Sequence, residues 1–398
     1  MIVTFDKEIL SAAVTPAMSA VSNKNTITSI EGIRITAEAD GTCILDSFDL
    51  EKGIHCTISG RVEEPGSYII NGQKLYQIIR SMPGDIRIEV GDKMRAKISS
   101  GKSEFTINAM PGDEFPNTPT LEGDWGFTMP QCELRDAMTK TLYAVAVNEP
   151  RPALNGIFFK ISGNTLTLVS SDSFRLAVCE KEFKIENNIG EGTLDVAIIV
   201  PGKTATELLK MLDDDTTPVC VRATSKHIMF SMDNLCFFSR LIDAEYVNYE
   251  KFIPKTPATY ATLPCAALRE SLERASLVTE EKTAGQAKSS VKFTFDDQTL
   301  LVSAVSVNGT VNEEIPVEKT GPDLKIGFNC RYLLDALRAC DTEYIKLALV
   351  SPLVSMVITA DENKMTEDEV AAMEKKKENT GILSEKYTHL AVPCHLRE

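Results

Sequence analysis

Leu134, Met138, Leu142 and Val145 fall at i, i+4, i+8 and i+11, one apolar stripe of an amphipathic helix read over Cys132 to Val145. A similar stripe, Leu268, Leu272 and Ala275, predicts a helix over Ala266 to Val278. A third is read over Lys7 to Val21, where Pro16 is expected to kink the helix or loosen a turn. Between the helices the period drops to two. Asp40-Gly-Thr-Cys-Ile-Leu-Asp, Gly163-Asn-Thr-Leu-Thr-Leu-Val-Ser and Asp297-Gln-Thr-Leu-Leu-Val-Ser-Ala each set a turn before a β-rich run. Further strands read as Asp85-Ile-Arg-Ile-Glu-Val, Pro218-Val-Cys-Val-Arg and Glu343-Tyr-Ile-Lys-Leu-Ala-Leu.

The pattern is internally repeated. Asn71-Gly-Gln-Lys-Leu-Tyr-Gln-Ile-Ile-Arg80, Pro201-Gly-Lys-Thr-Ala-Thr-Glu-Leu-Leu-Lys210 and Asn329-Cys-Arg-Tyr-Leu-Leu-Asp-Ala-Leu-Arg338 superpose without gaps. Their last cations stand 130 and 128 residues apart, a domain-sized period. The fold class is therefore α+β, with three copies of one domain, each setting two helices against antiparallel sheets. Proline-marked boundaries near Pro119–Gly123 and Pro254–Pro264 give domains 1–122, 123–254 and 255–398. A charge-dense stretch from Asp361 to Tyr387 has no counterpart in the other copies and reads as an insertion with a solvated surface helix. Thr366 and Glu369 form its capping box, and Lys375, Lys376 and Lys377 its basic end.

Composition excludes more than it identifies. The 398 residues are 43% hydrophobic and 25% charged, as in ordinary soluble proteins, and no apolar run is long enough for a membrane span. The start lacks a basic n-region before an apolar run, so the expected location is cytoplasmic. Ten scattered cysteines without a C-x-x-C pair, and four histidines that do not join them, predict reduced thiols and no metal site. Val196-Ala-Ile-Ile-Val-Pro-Gly-Lys-Thr204 invites a phosphate-loop reading, but Ala197 stands where the first loop glycine is needed. Neither a nucleophile elbow nor a Cys–His pairing stands out, so no catalytic residue and no cofactor are expected.

A net charge of −15 argues against a uniformly basic coat, not against one basic face. On the repeated helices Lys203, Glu207 and Lys210 share a face at i, i+4 and i+7, as do Arg331, Asp335 and Arg338, and Gln73, Gln77 and Arg80. Lys74, Arg80, Lys210, Arg269, Arg274, Arg331 and Arg338 are the candidate cations by this argument.

Arg151-Pro-Ala-Leu-Asn-Gly-Ile, Val169-Ser-Ser-Asp-Ser-Phe-Arg-Leu-Ala177, Asp113-Glu-Phe-Pro-Asn117 and the closing Ala391-Val-Pro-Cys-His-Leu396 are similar to motifs of the bacterial DNA polymerase III beta subunits, the DNA sliding clamps. The resemblance spans the chain except Asp361–Tyr387. It implies a head-to-tail homodimeric ring whose helices line a hole, a processivity factor and not an enzyme. Twelve helices ~9 Å apart close a circle ~34 Å across, which leaves room for duplex DNA where six would not. The resemblance adds Lys24, Arg135, Arg151 and Lys203 to the DNA-facing cations, which would hold double-stranded DNA without reading sequence.

It also implies a groove for short peptides of the replicative polymerase, the clamp loader and repair polymerases. The matching residues are Leu154, Ser171, Ser173, Phe174, Arg175, Leu176, Val247, Phe252, Leu390, Val392, Pro393, Cys394 and His395. Phe105 and Ile107 match the dimer interface and would meet Leu277 and Val278 of a second copy, while Glu104 stands where a basic residue is expected. Ser173 replaces the family's glycine, and Val392-Pro-Cys-His replaces a methionine-rich end, which predicts a narrower choice of peptides. The competing reading is a monomeric or paralogous scaffold that binds peptides without encircling DNA.

Overall fold

One order of elements is traversed three times. The first pass runs β1 (Ile2–Phe5), α1 (Lys7–Ala17), β2 (Gly32–Ala37), β3 (Thr42–Phe48), β4 (Lys52–Ser59), a short β5 (Arg61–Glu64), β6 (Gly66–Asn71), α2 (Gly72–Ser81), β7 (Ile86–Gly91), β8 (Arg95–Ser100) and β9 (Ser103–Pro111). The second is β10 (Trp125–Pro130), α3 (Gln131–Leu142), β11 (Gly156–Ser162), β12 (Thr165–Ser171), β13 (Arg175–Phe183), β14 (Asp195–Pro201), α4 (Gly202–Met211), β15 (Pro218–Ala223), β16 (His227–Met232) and β17 (Leu235–Arg240). The third is β18 (Thr259–Pro264), α5 (Cys265–Thr279), β19 (Ser290–Asp296), β20 (Thr299–Ser306), β21 (Gly309–Pro316), a short β22 (Glu318–Thr320), β23 (Leu324–Asn329), α6 (Cys330–Arg338), β24 (Tyr344–Leu349), β25 (Met356–Ala360), α7 (Glu367–Thr380) and β26 (Ile382–Ala391). This computed structural model describes residues 1–22, 26–91, 93–118, 123–279, 290–306 and 309–394.

Pairing repeats with the order. Each copy forms two antiparallel four-strand ladders: β6-β2-β3-β4 with β1-β7-β8-β9, then β14-β11-β12-β13 with β10-β15-β16-β17, then β23-β19-β20-β21 with β18-β24-β25-β26. The described residues divide into two compact units. One comprises Met1–Gln131, Glu186–Gly192 and Lys210–Leu241; the other comprises Cys132–Ile185, Thr193–Leu209 and the chain from Ile242 onward. In the first unit β4 pairs with β17, and in the second β13 pairs with β26. A fourth strand of one copy thus meets the last strand of the next, twice.

The repeated helix start has a local cause. A strand ends at Asn71 or Asn329, whose side-chain oxygen then caps the helix, accepting from the N–H of Lys74 at 3.1 Å and of Arg331 at 3.0 Å. The next position is glycine in two of the copies and Cys330 in the third. A Cβ on Gly72 would lie 2.9 Å from Val21, and one on Gly202 2.7 Å from Val145. The buried faces follow: Leu75, Ile78 and Ile79 in α2, Thr204, Ala205 and Leu208 in α4, and Leu333, Leu334 and Leu337 in α6. In the second unit α5 and α6 pack their apolar faces with Phe293, Phe295 and Phe328 of the adjoining sheet.

Three expectations need correction. The first helix stops at Ala17 and tightens into a 3₁₀ turn over Met18–Ala20, because Pro16 lacks the N–H that would continue the ladder. Helix α3 ends at Leu142, and Val145 closes a turn onto the Leu142 carbonyl at 3.2 Å, so Leu142 and Val145 are half-buried while Leu134 and Met138 are fully buried. The insertion is also shorter than Asp361–Tyr387. From Ile382 the chain is β26, the counterpart of β9 and β17, so the added segment is residues 361–381. Its helix has the expected capping box, and Gly381 ends it at φ +73°.

Candidate functional site

The groove residues gather where β13 begins and β26 ends. Arg175 pairs with Ala391 and Leu176 with Leu390, and the Val392 N–H donates to the Phe174 carbonyl at 2.9 Å. Leu176 and Leu390 are buried in an apolar cluster with Val169, Val178, Tyr249 and Val357, and Val392 packs against it. Leu154 is buried in the 3₁₀ turn Pro152–Asn155, Val247 is half-buried, and Phe174 and Phe252 are 54% and 60% exposed. Pro393 and Cys394 are half-buried, with the Cys394 N–H held at 2.9 Å by the Gly327 carbonyl. His395 lies outside the described residues.

The turn into β13 is built from its own polar groups. Asp172 Oδ1 accepts from the N–H of Phe174 at 3.0 Å and of Arg175 at 3.1 Å. Ser173 stands at φ +77°, a conformation that costs a non-glycine residue ~1–2 kcal/mol. Two bonds hold it there: its N–H donates to Ser171 Oγ at 3.2 Å, and Arg151 Nη2 donates to its Oγ at 2.6 Å. Arg175 is committed to the wall. Its guanidinium donates to Asp172 at 2.9 Å and Asp335 at 2.6 Å, and it lies 4.6 Å from the Tyr332 ring centre and 5.2 Å from that of Tyr143. A cation so paired is held in place and has little charge to spare for a ligand.

Beneath β13 and β26 lies a polar core that the sequence reading did not find. Lys181, fully buried, donates to Glu133 and Asp136 at 2.6 Å each and to Glu385 at 3.0 Å. Lys140 reaches Asp341 at 2.8 Å and also bonds Glu385, and Lys376 of α7 reaches Glu385 at 2.7 Å. Burial alone would favour a neutral Lys181; Asp136, Glu385 and Glu133 outweigh it and keep the ammonium charged. Carboxylate oxygens of Glu133, Asp136 and Glu385 lie within 4.8 Å of one another, spacing that suits a divalent cation. Three ammonium groups already neutralise them, so the cluster works as an ion-pair core. His389 stands alongside, fully buried, with Nδ1 2.6 Å from the Tyr143 hydroxyl and Nε2 without a partner among the described residues. Burial, helped by Lys140, pushes its pKa down to about 3.

The candidate cations are mostly on solvent. Lys74, Arg80, Arg151, Lys203, Lys210, Arg274, Arg331 and Arg338 are exposed, and Arg135 and Arg269 half-exposed; Lys24 lies outside the described residues. Several are tied within the chain. Arg274 donates to Glu313 of β21 at 2.7 and 2.6 Å, Arg338 to Glu273 at 3.4 Å, and Arg151 to Glu149 at 2.7 Å. Asp335, which lies with Arg331 and Arg338 outside the buried face of the helix, accepts from Arg175. Phe105 and Leu277 are 42% and 81% exposed, Ile107 and Val278 are half-buried, and Glu104 pairs with Lys97 at 2.9 Å.

Comparison with known proteins settles the lineage. The DNA polymerase III beta subunit matches domain by domain: its N-terminal domain over residues 1–119, its central domain over 128–248 and its C-terminal domain over 250–374. This chain belongs to the DNA polymerase III beta-subunit family. It is 31% identical over 366 residues to the beta sliding clamp of Halalkalibacterium halodurans, covering 89% of this chain and 94% of that one. With the beta sliding clamp of Escherichia coli K12 the identity is 30% over 325 residues, covering 80% and 85%. Its fold is similar to the sliding clamp of Bacillus subtilis at a TM-score of 0.87, with 27% identity and full coverage of both chains. A putative DNA polymerase III beta subunit from Eubacterium rectale gives 0.86, again at 27% identity and full coverage.

As a beta-subunit chain it carries three clamp domains of mixed helix and antiparallel sheet. The residues missed from sequence are those whose partners are remote. Lys181 and Glu385 are separated by 204 positions, and nothing local marks either one. Tyr332 had a signal. It sits one residue after Arg331 on the repeated helix, an aromatic among exposed cations, and it stacks on Phe174 at 6.2 Å.

Proposed function

We propose that this chain is a processivity factor: two copies close head to tail into a ring around duplex DNA and tether replicative polymerase, clamp loader and repair polymerases through short peptides. Domains at 1–122, 123–254 and 255–398 would each supply two helices to the inner wall. One observation carries the reading. The fourth strand of the first and second copies pairs with the last strand of the following copy, β4 with β17 and β13 with β26, which leaves β21 and β9. Among the described residues neither β21 nor the Ser103–Asn108 part of β9 has a strand on its outer side. Bare edges invite pairing with another chain. Pairing β21 of one copy with β9 of another, with Phe105 and Ile107 against Leu277 and Val278, uses the same rule a third time, and two such contacts close the ring.

Function then needs no catalytic group. Lys24, Lys74, Arg80, Arg135, Arg151, Lys203, Lys210, Arg269, Arg274, Arg331 and Arg338 would attract phosphates without reading bases, which permits sliding. Leu176, Leu390 and Val392 would receive apolar anchors of an extended peptide, with Phe174 and Phe252 at the rim. The test is retention after loading on circular and on linear DNA. A protein that stays on circles and leaves linear ends is topologically linked. Equal loss from both, or a monomer mass in solution at micromolar concentration, would leave the peptide-binding scaffold instead.

A further inference from the structure

We propose that a cleft beside the groove is a second docking pocket, which takes the lysine or arginine side chain of a peptide whose apolar residue is seated in the groove; this rests on the groove reading above. Two residues beyond Leu176 on β13 stands Val178, and two before Leu390 on β26 stands Thr388, and these two pair across the strands. They line a cleft of about 240 Å³ whose walls carry Glu180, Glu250, Lys386 and the Tyr249 ring. Pockets that enclose whole small molecules run ~300–1,000 Å³, so this one suits a single long side chain.

The two carboxylates decide which side chain. Tyr249 is 8% exposed and lines the cleft, yet its hydroxyl has no hydrogen-bond partner among the described residues. That hydroxyl reaches solvent at the cleft, so an entering donor takes the place of water there and the bond adds little by itself. Glu180 and Glu250 line the same cleft, and burial first, then their charges, push the Tyr249 pKa up to about 12. Neither carboxylate has a cation in ion-pair contact among the described residues. Lys386 faces Glu180 across the strand pair and leaves one ammonium against two carboxylates. An ammonium or guanidinium entering here donates to the hydroxyl and both carboxylates, and the tyrosine face attracts it further. An acidic side chain meets the reverse.

Register sets where on the peptide the cation must lie. Residues i and i+2 of a strand share a face ~6.6 Å apart. A segment running extended along β13, with an apolar side chain over Leu176 and Leu390, therefore sets the side chain two positions away above Val178 and Thr388. One apolar cluster supports both places, since Leu176, Leu390, Val178 and Tyr249 belong to it. The floor is firm: the Phe158 and Tyr246 rings stack at 4.6 Å beside Tyr249.

Fluorescence anisotropy on the full chain tests this with nine-residue peptides anchored by Leu-Leu, carrying Lys, Gln or Glu two residues before or after the anchor. In one placement the Lys peptide should bind about tenfold tighter than the Glu peptide, the size of one charge-assisted hydrogen bond. The double variant E180Q/E250Q should erase that preference and leave the Gln peptide unchanged, and Tyr249→Phe should keep most of it. Equal affinities in both placements, or a preference that survives E180Q/E250Q, overturn the pocket while the groove stands. Failure of every peptide to bind the unaltered chain removes the groove and the pocket together.

Discussion

Two strand junctions of the same design are held together by opposite chemistry. At β4–β17 the side chains packed around the seam are aromatic. Phe48 and Phe238 lie 5.6 Å apart, packed with Ile69 and Phe115, and Gly53 leaves room for the Phe238 ring. At β13–β26 the seam sits on three lysines and four carboxylates, with His389 and Tyr143 beside them. Backbone pairing therefore fixes which strands meet, and the side chains decide how each seam responds to charge, salt and pH. Both proposed peptide-binding sites lie on the ionic seam.

The largest expected effect separates the two outright. Lys181→Met leaves Glu133, Asp136 and Glu385 short of a cation in a buried site, and breaking a buried ion network from one side costs ~3–5 kcal/mol. Urea unfolding followed by hydrogen exchange should show that loss in the second unit, with β4–β17 amides unchanged. An unchanged second unit would mean that the lysines contribute nothing to the seam.

Acid should split the junctions next. His389 has its pKa lowered from 6.5 to about 3, so it supports the fold above pH 6.5 and the support drains away as pH falls. At 1.36 kcal/mol per unit, the loss between pH 6.5 and 5 is ~2 kcal/mol. Glu385, held well below its ordinary value by Lys181, Lys140 and Lys376 against the pull of burial, adds to the loss at lower pH. His55 on β4 runs the other way. Its bond to Asp46 at 2.8 Å raises its pKa, so it stabilises the first unit below pH 6.5 and ceases to as pH rises through the raised value. Trp125, the chain's one tryptophan, lies in the first unit and reports on it alone. At pH 5 its fluorescence should melt after the far-ultraviolet signal, and His389→Gln should narrow the gap. Coincident melts at pH 5 and 7 would show that the seams share their pH response.

How much of this was legible in the sequence follows from range. The repeated Asn71, Pro201 and Asn329 starts and the Leu268–Leu272–Ala275 stripe are local signals, and the helices stand where those signals fall. The insertion was drawn six residues too long because Ile382–Tyr387 carries charges like those of α7, although its register belongs to a strand facing Phe183–Cys179. The candidate groove residues were named from family motifs alone. The Arg175–Asp335 pair beside them gave no signal, because the two residues are 160 positions apart. Nor did the lysine core, since a buried lysine reads like a surface one until its partners are placed around it.

The aromatic seam is tested by Gly53→Ala. An added Cβ would sit 2.2 Å from the Phe238 ring, so Phe238 must leave its place against Phe48, at ~1–3 kcal/mol for overpacking. The loss should fall on the first unit and be insensitive to salt. Loss in the second unit as well would show that the seams are coupled.

Lys376→Ala should have the smallest effect and says most about the ionic seam. Its ammonium touches the carboxylates that Lys181 does, Glu385 at 2.7 Å and Glu133 at 3.4 Å, but its side chain is 34% exposed where that of Lys181 is fully buried. Water screens a pair so placed, and exposed pairs contribute ~0–1 kcal/mol. If burial sets the strength of each contact, the Lys376 loss should vanish in 0.5 M NaCl, where the Debye length is a few ångströms, while the Lys181 loss persists. Equal salt sensitivity in the two variants would mean that the network behaves as one charge cloud, and that α7 is as much a part of the seam as the strand beneath it.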